Sequence, residues 1–383
     1  MIRLGSKKKR CNTSPPLTRS QTCPLERIPL EMKEEILMKL KAKCISKFIS
    51  ISKSWSSIVR SKRFTNLYLN RSMAQPHILF SLTDRRDNEM QLFYSCSQED
   101  PSSDHQTVSC PPLNHDKRFE FSPPVRGLLC CLNDNDRVMI GNPTTCQFIT
   151  LPRVQTERKL NDIYNVNICH FFGYDPVNGE FKVLCMTVLR NKRSIGVVSQ
   201  DHQVFTLGAT RKEWRKIECM YPHNIHPRDK GVCSNGVVYY LAWIAKVRSL
   251  MCFDVRSEKF SVIKLPNNGN VQYLSEYGKK IAVTDLIFGG TFDLWVLEDA
   301  SIPHWSPVSI VIPYEFGFLK LRGRLGTGEL VFAPFFVTNP FFILCYDLKE
   351  SKVRKIQIEG IGTHFKPIHV YLDHVKSPMF LEL

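Results

Sequence analysis

The spacing of apolar residues changes character near residue 75. Between residues 24 and 71, apolar side chains recur at helical intervals, which predicts short amphipathic helices. Pro29 suits a helix start, because its missing N–H would be unpaired there anyway. From residue 75 onward, short apolar runs alternate with turns rich in Gly, Pro, Asn and Asp, which predicts strands. We therefore predict an α+β multidomain chain, with a small helical domain over 24–71 and an all-β domain over 75–383.

A strand–turn–strand phrase recurs through the β region. In four successive copies the residue after the turn is Trp214, Phe260, Trp305 and Val353, with separations of 46, 45 and 48 residues. A β repeat of this length is typical of propeller blades. Pairing each phrase with the strand pair before it predicts a propeller of about six blades. The segment over 364–380 can supply a further strand that closes the ring and hides the sheet edges.

Positive charge is concentrated in the first 75 residues. They hold seventeen Lys/Arg and four Glu, whereas the rest of the chain holds thirty-five Lys/Arg and thirty-two acidic residues. The net charge of the whole chain is +16. Nucleic-acid binding by the β domain is therefore not favoured, although the basic N-terminal region leaves that alternative open. Residues 1–23 have the composition of a disordered tail. Within this tail, a basic cluster predicts a nuclear-import signal: Lys7, Lys8, Lys9 and Arg10.

Catalytic and cofactor motifs are not found in the sequence. There is no H-E-x-x-H, G-x-S-x-G, P-loop or dinucleotide fingerprint, and the fourteen cysteines lack zinc-type spacing. His223 and His226 come closest to a metal-binding pair. We predict no catalytic residue, no metal site and no cofactor, and we interpret most cysteines as small buried residues of a reducing compartment. Without a transmembrane or secretory segment, we expect a protein of the nucleus or cytoplasm with no membrane partner.

The helical segment resembles the F-box of plant F-box proteins. Ile28-Pro29 stands at the family's Leu-Pro start, and Glu35-Ile36-Leu37 matches its E-I-L. The runs over 43–48 and 51–58 match K-S-L-x-R-F and V-S-K-x-W-x-S-L/I, while Lys41 and Ser50 depart from the usual Pro and Cys. The resemblance implies binding to the Skp-type adaptor of a cullin–RING ubiquitin ligase. The contact residues that it implies are Ile28, Pro29, Leu30, Ile36, Leu37, Phe48, Ile51, Trp55 and Ile58, some of which must instead form the domain's own core.

The β region resembles the F-box-associated β-propeller domain, type 3. Its F-G-Y-D-P phrase is matched by residues 172–176, its T-L-G…W-R by 206–215, and its W-V-L-E-D by 295–299. The resemblance implies a non-catalytic receptor that holds a target protein for ubiquitination, and it does not name the target. Two alternatives stay open: a carbohydrate-binding propeller, or nucleic-acid binding through the basic N-terminal region.

Overall fold

The computed structural model describes residues 28–84, 90–101, 106–109, 121–132, 137–155, 164–191, 197–226, 229–266, 271–362 and 364–382. The predicted tail, residues 1–23, lies outside these ranges. The described chain begins with four short α-helices: α1 (Leu30–Lys39), α2 (Ala42–Ile45), α3 (Lys53–Arg60) and α4 (Lys62–Met73). A 3-10 helix, Ser46–Ser50, lies between α2 and α3. No helix of the described part is long and apolar enough to cross a membrane.

The four helices, called the head below, share one small core. Its fully buried members come from every helix: Leu37, Ile45, Trp55, Ile58, Val59 and Phe64. The ring of Phe48 lies 5.1 Å from that of Trp55, centroid to centroid. The Ser61 hydroxyl caps α4 by accepting a hydrogen bond from the Phe64 N–H at 3.1 Å. A core of this size leaves little margin of stability.

The remainder of the described chain forms strands. In chain order they are β1 (His77–Asp84), β2 (Met90–Ser97), β3 (Gln106–Ser109), β4 (Leu129–Leu132), β5 (Val138–Asn142), β6 (Gln147–Thr150), β7 (Tyr164–Asp175), β8 (Glu180–Asn191), β9 (Val197–Thr206), β10 (Arg215–Ile217), β11 (Val232–Ser234), β12 (Val237–Ile244), β13 (Val247–Asp254), β14 (Phe260–Lys264), β15 (Tyr273–Tyr277), β16 (Lys280–Thr284), β17 (Ile287–Phe288), β18 (Gly290–Asp299), β19 (His304–Ile312), β20 (Phe318–Arg324), β21 (Leu330–Pro334), β22 (Phe342–Asp347), β23 (Lys352–Gln357) and β24 (Phe365–His374).

These strands form six antiparallel sheets, the blades of a propeller. Blade 1 is β24-β1-β2-β3, blade 2 is β4-β5-β6, blade 3 is β7 to β10 and blade 4 is β11 to β14. Blade 5 is β15-β16-β18-β19, and blade 6 is β20 to β23 with β17 added at its inner edge. In blade 2 residues 121–125 occupy the innermost position. They lie beside β4, and the Ser122 N–H donates a hydrogen bond to the Cys130 carbonyl. The predicted count of about six blades is confirmed.

The ring closes through pairing of distant parts of the chain. β24 pairs antiparallel with β1, with His77 opposite His374 and Asp84 opposite Phe365. The last strand therefore completes the first blade, as the sequence predicted. A closed ring leaves fewer free sheet edges than an open one.

Each pair of neighbouring blades shares a hydrophobic cluster. Representative buried pairs around the ring, from blades 1 and 2 to blades 6 and 1, are Phe93 and Leu129, Ile140 and Phe172, Leu184 and Tyr240, Leu250 and Val283, Val296 and Phe332, and Ile343 and Phe80. Trp214 is buried between blades 2 and 3 and donates its indole N–H to the Pro152 carbonyl at 2.8 Å.

Aspartates stabilise several of the tight turns between strands. Asp175 Oδ1 accepts a hydrogen bond from the Val177 N–H at 2.9 Å. Asp254 and Asp299 do the same for the N–H groups of Ser257 and Ser301, at 2.6 and 2.7 Å. Aspartate is common at turn positions because its carboxylate can accept such a backbone hydrogen bond.

The propeller has two distinct faces. The innermost strands all run in one direction, and β24 ends beside the start of β1, where the chain leaves the head. The head face is therefore the one at which the innermost strands end. At the opposite face, called the distal face, the innermost strands begin and the second strand of each blade connects to the third.

The C-terminal segment after β24 connects the head to the propeller. The Lys376 N–H donates to the Ser72 hydroxyl of α4 at 2.9 Å. Arg60 of α3 pairs with Glu382 and lies 4.8 Å from the Phe380 ring. The same segment is held on blade 2, because the Asn142 side-chain amide donates to the carbonyls of Ser377 and Met379 at 3.0 and 2.9 Å.

Candidate functional site

Four large apolar residues of the head are exposed to solvent. Leu30, Met32 and Ile36 lie on α1, and Ile51 follows the 3-10 helix. Their exposed fractions are 50%, 56%, 37% and 42%. Met32 and Ile36, four residues apart, share one side of α1, and exposed apolar residues of this kind commonly bind a partner.

The structure separates the nine predicted adaptor contacts into three groups. Pro29, Leu30, Ile36 and Ile51 are exposed, and Ile28 and Phe48 are half-buried. Leu37, Trp55 and Ile58 are buried in the head core, with exposed fractions of 0%, 1% and 4%. The buried three cannot contact a partner in this conformation, so their role in adaptor binding would be to shape the head. Contact by the other six stays a prediction.

A second exposed apolar surface lies on the distal face, at blades 5 and 6. It consists of five aromatic residues, called the aromatic patch below: Phe288, Tyr314, Phe318, Phe335 and Phe336, all of them exposed. The rings form a continuous set, with centroids 6.3 Å apart for Phe288 and Tyr314, 4.4 Å for Phe288 and Phe318, 6.3 Å for Phe318 and Phe336, and 5.0 Å for Phe335 and Phe336.

The patch owes its position to blade topology. β17 pairs with the first residues of β20, so that Phe288 lies opposite Phe318. Phe335 and Phe336 follow β21, in the connection that reaches the distal face, and Tyr314 belongs to a 3-10 helix, Tyr314–Phe316, just before β20. Gly289 and Gly290 have φ of 59° and 73°, and a Cβ at either would collide with Tyr314. Glycine at these two positions therefore allows the close approach of Tyr314.

A narrow cavity of about 110 Å³ lies among the innermost strands. The charged residues that line its two ends differ in sign. Lys230 and Lys320 lie toward the distal face, whereas Glu276 and Asp373 lie near the ends of β15 and β24, toward the head. Arg322 and His369 come from the middle of β20 and β24.

The ionisation of these groups follows from their burial. Burial lowers the pKa of Arg322 to about 10, so the guanidinium stays charged at neutral pH. Burial, with the positive charge of Arg322 and two lysines nearby, lowers the pKa of His369 to about 3, so this imidazole is neutral. Burial, with the charge of Asp373, raises the pKa of Glu276 to about 8. Arg322 therefore keeps a positive charge on the cavity wall at neutral pH.

Glu276 makes a testable contribution to the pH dependence of stability. Its pKa is higher in the folded protein than the ordinary value of 4.5, so the folded state holds this proton more tightly than the unfolded state. The stability of the native protein relative to a Glu276→Gln variant should fall as pH rises from about 4.5 to about 8, and then stay constant. Urea unfolding of both proteins at pH 5, 6.5 and 8.5 measures this difference, and a difference independent of pH would contradict it.

The structure brings together three possible metal ligands that the sequence did not group. Ligand atoms of His202, Cys219 and His223 lie within 4.8 Å of one another. His223 Nδ1 lies 2.7 Å from the Tyr221 carbonyl, and its Nε2 lies 3.0 Å from the Tyr240 hydroxyl. His223 thus already has protein partners at both nitrogens, which weakens the case for a metal here. His226, which the sequence singled out instead, is not part of the cluster.

Other predicted features are placed only in part. The import candidates, Lys7, Lys8, Lys9 and Arg10, lie outside the described residues, so that signal stays a prediction. Ten cysteines of the described part are free thiols, and seven of these are buried, in agreement with their interpretation as small apolar residues. Cys146 differs, since it forms a disulfide.

The fold and its two exposed apolar surfaces define a class of protein. A six-bladed propeller carries a helical module on one face and an aromatic patch on the other. This organisation is typical of a protein with two separate binding surfaces. The comparisons with known proteins agree with this class. Residues 25–67 match the F-box domain, and residues 77–376 match the F-box associated beta propeller domain.

Curated relatives match over nearly the whole chain. The F-box/kelch-repeat protein At3g04660 of Arabidopsis thaliana is 45% identical over 98% of this chain and 98% of its own length. The F-box protein DOR of the same plant is 31% identical, over 92% of this chain and 93% of its own. The protein therefore belongs to the family of F-box proteins with an F-box-associated β-propeller. Among solved structures, a chain of a nidogen/laminin complex aligns with a TM-score of 0.45 and 11% identity, over 79% of this chain and 99% of that chain, a likeness too weak to inform function.

The aromatic patch was missed by the sequence analysis. Its members are spread over residues 288–336, and aromatic residues of a β protein are usually core. The doublet Phe335-Phe336 gave no clear signal, because both faces of a blade are covered by its neighbours and every residue of β21, just before the doublet, is buried.

Proposed function

We propose that this protein is the substrate-recognition subunit of a Skp–cullin–F-box ubiquitin ligase. The head would bind the Skp-type adaptor, and the propeller would hold a target protein near the ubiquitin-charged conjugating enzyme. The mechanism is one of proximity, in which holding two reactants together raises their effective concentration. No catalytic residue of this chain is needed for that role.

One observation carries most of the proposal. The four exposed apolar residues of the head lie within the segment that matches the F-box domain, so the family's binding module presents apolar residues that the described chain leaves uncovered. Family membership supports a non-catalytic receptor, as does the position of the two apolar surfaces on opposite faces. With the adaptor on the head face, the distal face would be left free for a target.

Replacing Ile36 by Asp should weaken adaptor binding by at least about tenfold without unfolding the head. Ile36 is partly exposed, so the new carboxylate stays hydrated in the free protein but would be desolvated against an apolar partner. Purified Skp-type adaptor, titrated onto the immobilised full chain, measures the change in Kd.

The control for this experiment is Val247→Asp. Val247 is an exposed apolar residue at the start of β13, in the connection from β12 on the distal face. The same substitution there should leave the Kd unchanged. Failure of the unmodified chain to bind the adaptor, or equal affinity of the Ile36→Asp variant, would contradict the proposed function.

A further inference from the structure

We propose that the distal end of the central cavity and the aromatic patch form one site for a target peptide, which inserts a single anionic side chain into the cavity and lays flanking apolar residues on the patch. This inference rests on the proposed function, because it assigns the target to one surface of the propeller. It specifies the chemistry of the recognised segment, which family membership does not.

The cavity has the groups that an anion requires. Arg322 lines it, and Arg322 Nε is buried without a hydrogen-bond partner among the residues that the structure describes. Buried donors are nearly always paired in native proteins, so Arg322 Nε on the cavity wall needs an acceptor, which either a water molecule or a ligand would supply. Lys230 and Lys320 also line the cavity and carry positive charge. Guanidinium groups bind carboxylates and phosphates through strong charge-assisted hydrogen bonds.

The two carboxyl groups of the cavity do not supply this acceptor. Asp373 accepts a hydrogen bond from the Gln98 side chain at 2.8 Å, and Glu276 lies with it toward the head. The positive charge of Arg322 acts on His369, yet neither Glu276 nor Asp373 is stabilised in its charged form by Arg322. Lys320 at the distal end already interacts electrostatically with Asp229, so the acceptor that an external anion would supply is the one missing at Arg322.

The aromatic patch is continuous with the cavity. Lys320 Nζ lies 4.7 Å from the centre of the Tyr273 ring, and the Tyr273 ring lies 6.5 Å from that of Phe335. Phe335 is in contact with Phe336 and, through it, with the rest of the patch. A ligand that places a charge beside Lys320 would thus have exposed aromatic rings next to it. Exposed aromatic side chains of this kind provide most of the binding energy at many interfaces.

The size and charge of the site favour a peptide as its occupant. A cavity of about 110 Å³ is smaller than a typical small-molecule pocket and suits one carboxylate or phosphate group. Nucleic acid would require a row of cations along an open surface, whereas here the positive charge is recessed and bordered by apolar rings. A peptide can combine one charged side chain with apolar neighbours.

The test uses the full chain and short synthetic peptides. Three peptide pools carry a central Glu, phosphoserine or Gln, with randomised residues on both sides. We expect the full chain to retain the Glu pool, the phosphoserine pool or both, but not the Gln pool, with aromatic and aliphatic residues enriched beside the anion. The Glu and phosphoserine pools distinguish the two sources of negative charge.

Two variants and one control connect the result to the site. For the best peptide, Arg322→Met and Phe336→Ser should each raise the Kd about tenfold or more. Ile302→Ser, an equally exposed apolar residue in the turn between β18 and β19 on the head face, should not change it. Lys320→Gln replaces Arg322→Met if the latter fails to fold, as judged by circular dichroism.

Several outcomes would overturn the inference. Retention of the Gln pool, or unchanged affinity in both the Arg322 or Lys320 variant and the Phe336 variant, would show that peptides do not use this site. Stabilisation of the full chain by inorganic phosphate with no peptide retained would indicate a site for a free anion. A dimer in solution that Phe336→Ser dissociates would indicate that a second copy covers the patch. Adaptor affinity is measured on the same samples, so failure here with intact adaptor binding leaves the proposed function standing.

Discussion

A chain that ends after residue 362 should lose the cooperative unfolding transition of the propeller. The truncation removes β24, the innermost strand of blade 1. In the described fold β1 pairs with β2 on one side and with β24 on the other, so this loss leaves one edge of β1 unpaired. It also removes Phe365 and Val370 from the core shared by blades 6 and 1. An open ring exposes both that core and a long strand edge, so we expect aggregation or a broad transition. Thermal unfolding followed by circular dichroism, with size-exclusion chromatography, measures this.

The control separates the strand from the segment after it. A chain that ends after residue 375 keeps β24 and loses only the segment that contacts the head and blade 2. This chain should still unfold cooperatively, at a lower temperature. Addition of a peptide covering residues 364–382 to the shorter chain should restore part of the transition, because ring closure needs the strand but not a covalent link. A shorter chain that melts like the full protein would contradict the role of β24.

Replacing Leu37 by Asp should unfold the head and leave the propeller folded. Leu37 is completely buried beside Trp55 and Ile58, so the variant removes core volume and buries a carboxylate among apolar side chains. The cost should be at least about 3 kcal/mol, which is large for so small a core. Amide hydrogen exchange, followed by mass spectrometry, should show loss of protection over residues 30–73 and unchanged protection in the blades.

The neighbouring residue provides the contrast. Ile36→Asp changes the adjacent position by the same chemistry, but its side chain is partly exposed, so protection of the head should stay close to that of the native protein. Both variants should lose adaptor binding, for different reasons. Equal protection of the head in the two variants would show that Leu37 is not part of its core.

The fold could be predicted from the sequence because its signals are local and repeated. The recurrent hairpins at intervals in the mid-forties correspond to the third and fourth strands of successive blades, such as β13 with β14 and β18 with β19. The closing strand was also predictable, since the segment over 364–380 had no partner left in sequence.

The candidate sites could be predicted only in part, because exposure and proximity depend on tertiary packing. Helical spacing placed Ile36 and Leu37 on one apolar face, but only the packing of α1 on α3 decides which of the two is buried. The aromatic patch combines side chains from three connections of blades 5 and 6, and the cation-lined cavity combines the innermost segments of five blades. The residues of the patch and of the cavity have no constant spacing in the sequence, so a search for periodicity does not find them.

Under the proposed function, the contacts of the C-terminal segment with both the head and blade 2 would affect which lysines of a target are modified. A hinge between the two parts would let a bound target sweep a wide volume, and many of its lysines would come within range of modification. A head held on the blade by Ser72, Arg60 and the last residues instead gives the receptor a defined reach. For a receptor of this kind, selectivity would depend on how far a lysine lies from the recognised segment as well as on the segment itself.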